Sequence, residues 1–382
     1  MRGMVHLKFF IFIFVFSFLM SEGCDDDPLI EENETETHIQ PPYKVDTLLT
    51  GLSNPWGMVF LPDGSFLFTE RRGTLFYMES VTASPVAVQG VPQVASVGQG
   101  GLMDVQIHPN FETEPWVYIT YSVSLPGGYT TRLGRGYWEG NRFSRFEVLF
   151  TALPVLNTSV HFGSRIVFDE EGHVYCGIGE RGRPQMAQDI SNHMGTVVRM
   201  KLDGSPADEN PFANNPEAAP HVYAYGIRNP QGMAVHPETK EIWLHEHGPQ
   251  GGDEVNLIKP GLNYGWAVVS HGVNYNGTPV GSGQSTAPGF TDPLHHWTPS
   301  IAPCGMAFYT GNIFPEWKNS IFTGALAGQH LNQLVFNGYE LVSEKRHLQG
   351  FARFRAMTSG PDGYLYFLTE SPGLLCRLKP DL

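Results

Sequence analysis

The residues best suited to chemistry fall in short, polar, glycine-rich segments. His161, in H-F-G-S-R, is a candidate general base, because an imidazole with an ordinary pKa of about 6.5 takes up a proton at neutral pH. Such a base needs an orienting partner. Glu180, in G-E-R-G-R-P-Q, is the carboxylate that suits holding the ring tautomer and stabilising the imidazolium. A lone His is more often a satisfied structural residue, so the two readings compete. Arg228 and Asn229 precede Pro230, whose ring drives Asn229 out of helical geometry. A guanidinium fixed on such a turn suits a carboxylate or a developing oxyanion, or simply stabilises the turn. Arg353 and Arg355 share one strand face, which makes a second cationic pair for an anionic ligand or an exposed charged face.

His245 and His247 also share a strand face, but two nitrogens without a third make a weak transition-metal site. Downstream, Gly248 and Pro249 offer backbone carbonyls, and Asp253, Glu254 and Tyr264 add oxygen donors. Oxygen ligands suit a hard cation such as Ca²⁺; the spacing is not that of an EF-hand, and a solvated acidic loop is the plain alternative. No P-loop, no G-x-G-x-x-G after a strand, no H-E-x-x-H and no G-x-S-x-G elbow is present, so nucleotide cofactors and the familiar hydrolases lack support.

The elements that must position these residues repeat along the chain. An apolar lead, an acidic or Asp-Gly turn, a short apolar strand and a closing Glu recur at Phe60–Glu70, Phe168–Glu180 and Ser359–Glu370, with a looser copy at His236–Glu246. Each copy reads as two antiparallel strands, because Asp63-Gly64 and Asp362-Gly363 supply the positive φ of a tight hairpin. Trp116 to Tyr121, Gly195 to Leu202 and Ile321 to Gly324 are further strand candidates, and no long amphipathic helix is evident. With 43 Gly, 29 Pro and 16% charged residues in 382, the chain is neither disordered nor coiled coil. The pattern predicts an all-β fold, a β-propeller or a large sandwich; as a propeller, the stretch from Cys24 to Leu382 gives six four-stranded antiparallel blades of roughly 60 residues each, a better fit than eight, with the propeller domain at 41–382. The closing acids Glu70, Glu180, Glu246 and Glu370 are then placed either near the axial mouth or as ordinary ion-pairing acids of the rim.

The net charge of -14 argues against a nucleic-acid partner. Arg2 and Lys8 followed by the apolar run Phe9 to Met20 predict a secretory signal over residues 1–23. Gly23-Cys24 ahead of the acidic tether 24–40 resembles a bacterial lipoprotein processing site. The expectation is an exported protein, periplasmic or anchored to the outer membrane through a lipidated Cys24, with membrane contact through that anchor alone. Cys176 and Cys376 lie in apolar runs and read as buried small hydrophobes.

Together, P-W-G-M at Pro55, G-Q-G-G-L at Gly98, H-F-G-S-R at His161, G-E-R-G-R-P-Q at Gly179, R-N-P-Q-G at Arg228, the run from His247 to Trp266 and A-L-A-G-Q-H-L at Ala325 closely resemble the soluble aldose sugar dehydrogenases that depend on pyrroloquinoline quinone (PQQ). These are relatives of soluble quinoprotein glucose dehydrogenase, and the match runs from about Thr47 to Leu378. The resemblance implies a propeller that binds PQQ and Ca²⁺ in its axial cleft and oxidises the C1 hydroxyl of an aldose to the lactone by hydride transfer. It implies His161 as the base, Glu180 behind it and Arg228 beside the reduced quinone oxygen. Gln99, Gln185, Asn229, Tyr275, Ala327, Gly328, Arg353 and Arg355 fall at cofactor positions. The carbonyls of Gly248 and Pro249 match a catalytic calcium, while Glu254 and Tyr264 match a second ion. The electron acceptor, a quinone or a cytochrome, is open.

Three positions depart from the pattern. Ser164 stands where Gly is usual, Cys304 where Ser is usual, and Ala327 where the glucose enzymes carry a Lys, which favours the broader aldose type. A calcium-dependent propeller lactonase would use the same His and metal but has no evident need for Arg228, Arg353 and Arg355. A non-catalytic carbohydrate-binding propeller would need neither His161 nor an ion.

Overall fold

The computed structural model describes residues 43–381. The signal segment, the tether and Cys24 lie outside the described residues. Six four-stranded antiparallel sheets form the blades of a propeller. From the axis outward, blade 1 is Pro55–Phe60, Phe66–Glu70, Thr74–Met78 and Val86–Ala87; blade 2 is Leu102–Ile107, Trp116–Leu125, Gly128–Trp138 and Phe143–Thr151. Blade 3 is Gly163–Phe168, His173–Ile178, Thr196–Lys201 and Val222–Tyr225; blade 4 is Pro230–Val235, Ile242–Glu246, Asp253–Ile258 and His295–Trp297. Blade 5 is Pro303–Phe308, Ile321–Ala325, Leu331–Asn337 and Glu340–His347. Blade 6 takes its three inner strands, Arg353–Ser359, Leu365–Ser371 and Gly373–Pro380, from the end of the chain and its outer strand, Tyr43–Thr50, from the beginning, with Tyr43 opposite Pro380. That pairing completes blade 6 from both ends of the described chain and closes the ring. The described residues hold two short 3₁₀ turns, Pro184–Gln188 and Pro315–Trp317, and no α-helix.

The recurring sequence unit is the pair of inner strands of blades 1, 3, 4 and 6. Blades 2 and 5 carry the same pair with different connections, one through Asn110 to Glu114 and the other through the Pro315–Trp317 turn. Alternate side chains of neighbouring sheets interleave, so each blade interface has its own apolar cluster. Phe66, Phe68, Tyr366 and Leu368 fill the seam between blades 6 and 1, and Tyr118, Ile166, Val174 and Met200 that between 2 and 3. Cys176 is a free thiol in the seam between blades 2 and 3, and Cys376 one in the seam between blades 5 and 6.

One irregularity repeats with the blades. The register of every innermost strand shifts near its start, between Pro55 and Met58, Leu102 and Val105, Gly163 and Ile166, Pro230 and Gly232, Cys304 and Met306, and across Arg353 to Ala356. A bulge re-aims the residues it contains. Here it turns Asp104, Arg165, Gln231, Cys304 and Arg355 toward one another and closes the axial channel with a polar plug. Arg165 anchors the plug: it bonds Asp104 at 3.2 Å, the carbonyls of Gln231 and Arg355 at 2.8 and 2.9 Å, and lies 4.0 Å over the Trp56 ring.

Candidate functional site

Above the plug, the loops that enter the innermost strands surround a cavity of about 310 Å³, within the range of small-molecule sites. Its wall includes Trp56, Arg71, Gln99, Asn229, Gln231 and Ala327, with Arg353, Arg355 and Glu370 on one side. His161 stands at its edge, next to the lining residues Phe162 and Gly163. Its backbone is held at φ 51°, left-handed for a non-glycine residue. Three contacts hold that conformation. The His161 N–H donates to Gln99 Oε1 at 2.7 Å. The Arg181 side chain stacks 3.5 Å from Phe162 and bonds the carbonyls of Val160 and Thr158. Gly179 abuts the His161 carbonyl so closely that no Cβ fits there.

His161 Nδ1 lies 2.5 Å from Glu180 Oε1, and Glu180 is 1% exposed. With Nδ1–H donated to the carboxylate, Nε2 presents its lone pair. Burial pushes the His161 pKa down, the Glu180 bond opposes that, and the Arg228 charge lowers it further. The imidazole is therefore neutral at neutral pH and oriented, the state a base requires. If His161 takes a proton, Glu180→Gln removes the largest influence holding its pKa up. The acid limb of the pH–rate profile is then expected to move to lower pH, with a reduced kcat. A limb that stays in place would break the link between the two residues.

Arg228 fastens a second, smaller cavity beside the first. Its N–H donates to Glu246 Oε2, and its Nη1 bonds the carbonyls of His247 and Gly248 at 3.0 and 2.9 Å. That cavity is lined by Arg228, Glu246, Gly248, Glu254, Tyr264 and Ser270 among others. Burial raises both acids, Glu246 well above the carboxylate range and Glu254 to about 7, and Glu246 is raised further by Glu254. Two buried carboxylates beside a main-chain carbonyl form an oxygen-rich set that suits a hard cation. The Tyr264 phenol is committed to the Leu257 carbonyl at 2.6 Å, so any ligand role falls to its main chain.

Other predicted residues are placed differently. Gln185 is an exposed residue of the Pro184–Gln188 turn, Tyr275 is 75% exposed on the loop after blade 4's third strand, and neither lines the larger cavity. Gly328 faces a separate cleft with Pro299 and His330, and only Ala327 borders both. Pro249 follows Gly248 and is buried. Asp253 is no free oxygen donor: it accepts from Gly248 N, Ile301 N, Ala302 N and Ser300 Oγ, tying two loops together. The paired histidines are structural too, with His245 Nε2 on the Gly305 carbonyl and His247 Nε2 on that of Pro303, which removes the transition-metal reading. Of the closing acids, Glu370 bonds Arg355 at 3.0 Å in the cavity wall, while Glu70 accepts from Ser53 N.

The six-bladed propeller thus carries a His–carboxylate pair, an arginine-lined axial cavity and an adjoining oxygen-lined pocket, and comparison with known proteins gives its class. The family model of glucose/sorbosone dehydrogenases matches residues 52–377, and the chain belongs to that family. It is 38% identical over 344 residues to aldose sugar dehydrogenase YliI of Escherichia coli, covering 88% of this chain and 92% of that protein. It is 31% identical over 251 residues to quinoprotein glucose dehydrogenase B of Acinetobacter calcoaceticus, over 58% of this chain and 52% of that one. Among solved structures, the apo form of the soluble E. coli aldose sugar dehydrogenase superposes with TM-score 0.84 at 35% identity, covering 88% of this chain and 99% of that one. The PQQ-bound aldose sugar dehydrogenase of Streptomyces coelicolor superposes with TM-score 0.74 at 28% identity, covering 89% and 99%. The chain is thus an oxidoreductase of the sugar dehydrogenase type. Among the described residues no helix is long and apolar enough to cross a membrane.

Proposed function

We propose that the protein is a PQQ- and Ca²⁺-dependent dehydrogenase that oxidises the C1 hydroxyl of aldose sugars to the lactone. The observation that carries this reading is the oriented, neutral His161–Glu180 pair at the edge of a cavity walled by arginines. The residues present fit the cofactor. A tricarboxylate needs fixed cations, and Arg71, Arg353 and Arg355 line the cavity, with the buried Arg355 Nε lacking a partner. The oxygen set of Glu246, Glu254 and Gly248 fits the calcium, and the Gly248 carbonyl already accepts from a cation, Arg228. When bound, PQQ supplies the hydride acceptor and calcium the Lewis acid beside it.

The chain's own residues do the rest. His161 Nε2 takes the hydroxyl proton, and Glu180 holds the ring and stabilises the imidazolium. Gln99 keeps His161 in its left-handed conformation through the peptide N–H. Arg228 fixes a positive charge in the smaller cavity, bonded to the carbonyl of His247, which lines both cavities. The closed plug keeps the sugar on the upper face.

Reconstitution tests the reading: the purified protein with PQQ and Ca²⁺ is expected to reduce a phenazine dye with a panel of aldoses, retaining quinone absorbance. Chelation should abolish that activity and added calcium restore it. Turnover that survives exhaustive metal removal, or no oxidation of any aldose, would overturn the assignment. The lipid anchor belongs to the same proposal and is read out by whether extraction of the full chain needs detergent.

A further inference from the structure

Below the plug, at the opposite end of the axis, lies a further, larger cavity of about 790 Å³ that the sugar reaction does not use. The two cavities are close. Trp56, Gln231 and Arg355 line the upper one, and Met58, Met233 and Met357 line the lower. Each pair is two positions apart on one strand, or roughly 7 Å of extended chain. The Arg165–Asp104 plug bars molecules from passing between them, but so thin a partition does not bar electrons.

The lower cavity has a definite chemistry. Met58, Met233, Met306 and Met357 give it a polarisable, adaptable apolar wall. Two imidazoles, His108 and His236, stand among these residues. His108 Nδ1 accepts from Asn110 N at 3.1 Å, and His236 Nδ1 accepts from Glu238 N and Thr239 N at 3.2 and 3.1 Å. A ring nitrogen that accepts carries no proton, so each neutral ring bears its proton on Nε2. No acceptor among the described residues takes either Nε2–H. His108 is 6% exposed as a residue, but its Nε2 is not sealed off, so its free donor can be reached by a ligand. The rim is polar and charged, with Asp169, Glu170 and Lys240, so the apolar methionine wall and the N–H donors form one part of the cavity, and that part is complementary to a flat apolar ring carrying two carbonyl oxygens.

We infer that the lower axial cavity is a quinone site, where a small benzo- or naphthoquinone accepts the electrons of sugar oxidation across the plug. This rests on the proposed dehydrogenase reading. The balance closes: an aldose gives its lactone, two electrons and two protons, and the quinone with two electrons and two protons gives the hydroquinone. Electrons cross the plug, while protons leave above it and enter below from solvent. Sugar and acceptor then occupy opposite faces and need not exchange places during turnover.

Binding is tested apart from catalysis by calorimetric titration of the cofactor-free protein with 2-methyl-1,4-naphthoquinone, using 2-methylnaphthalene as the carbonyl-free control. The quinone is expected to bind at least about tenfold more tightly than the hydrocarbon, the difference that hydrogen bonding of about 1.4 kcal/mol makes. His236→Phe, which keeps a ring against Phe308 but removes the donor, and Met233→Trp, which crowds the cavity where it meets the plug, should each weaken quinone binding by about tenfold or more. In the PQQ-loaded protein both should lose sugar-dependent quinone reduction while phenazine reduction stays normal. Equal binding of quinone and hydrocarbon, or quinone binding unaffected by either variant, overturns the inference. If the loaded protein oxidises no sugar with any acceptor, the dehydrogenase reading fails instead, and the inferred electron transfer fails with it.

Discussion

His161→Ala is expected to lower kcat for aldose oxidation by roughly 10²–10⁴-fold, the span of a positioned general base, while leaving cofactor content unchanged. Three features require a loss this large. The ring is oriented by Glu180 at 2.5 Å, it is kept neutral by burial, and its backbone is held at an unfavourable φ of 51° by Gln99 and by the loop that Arg181 braces. A structure that holds such a conformation at one residue is organised around that residue. Retention of the cofactor is expected because the cavity arginines are untouched. The check is turnover per bound quinone in wild type and variant, with reconstitution measured by absorbance. A His161→Ala protein that binds PQQ and turns over at near-normal rate would falsify the role of the ring.

The repeat was legible because local chemistry forces it. An acidic or Asp-Gly turn between two apolar segments favours a hairpin, and two Asp-Gly copies with two looser ones sufficed to point to a propeller. Blades 2 and 5 were less visible, since their inner hairpins turn through Asn110–Glu114 and Pro315–Trp317 rather than a tight acidic turn. The pairing of His161 with Glu180 was legible because both end up at the same mouth of blade 3, one entering its innermost strand and the other leaving the next.

What the sequence hid depends on the ring closing. Glu370 partners Arg355 within blade 6, but both reach the cavity only when Tyr43–Thr50 completes that blade and it seats against blade 1 through the cluster of Phe66 and Leu368. Trp56 is a lining residue because a bulge turns it inward, and no periodicity marks a bulge in advance. Asp253 and His247 looked like ligands because their types fit. Their polar atoms are consumed by loop N–H groups and by a carbonyl of blade 5, partners distant in sequence.

Arg165→Met is expected to destabilise the fold by about 3–5 kcal/mol, the usual cost of stranding a buried charge by removing its partner, and to lower Tm by about 5–10 °C. Asp104 is buried at the axis, and the Arg165 guanidinium is the cation beside it. The same side chain bonds the Gln231 and Arg355 carbonyls, so blades 2, 3, 4 and 6 lose a common anchor. The pH dependence gives a second, independent readout. Burial already raises the Asp104 pKa and Arg165 opposes the rise, so removing Arg165 raises it further. A group whose folded pKa exceeds its unfolded one loses stability as pH rises toward the folded value, because the folded state then holds the proton more tightly. The deficit of the variant should therefore be smaller at pH 5 than at pH 7.5, measured as the Tm gap at a fixed scan rate. Adding Asp104→Asn in the Arg165→Met background should recover part of the loss and flatten that pH dependence. A gap of less than about 1 kcal/mol, or one that does not narrow on acidification, would mean that the plug is held by its backbone bulges rather than by this ion pair.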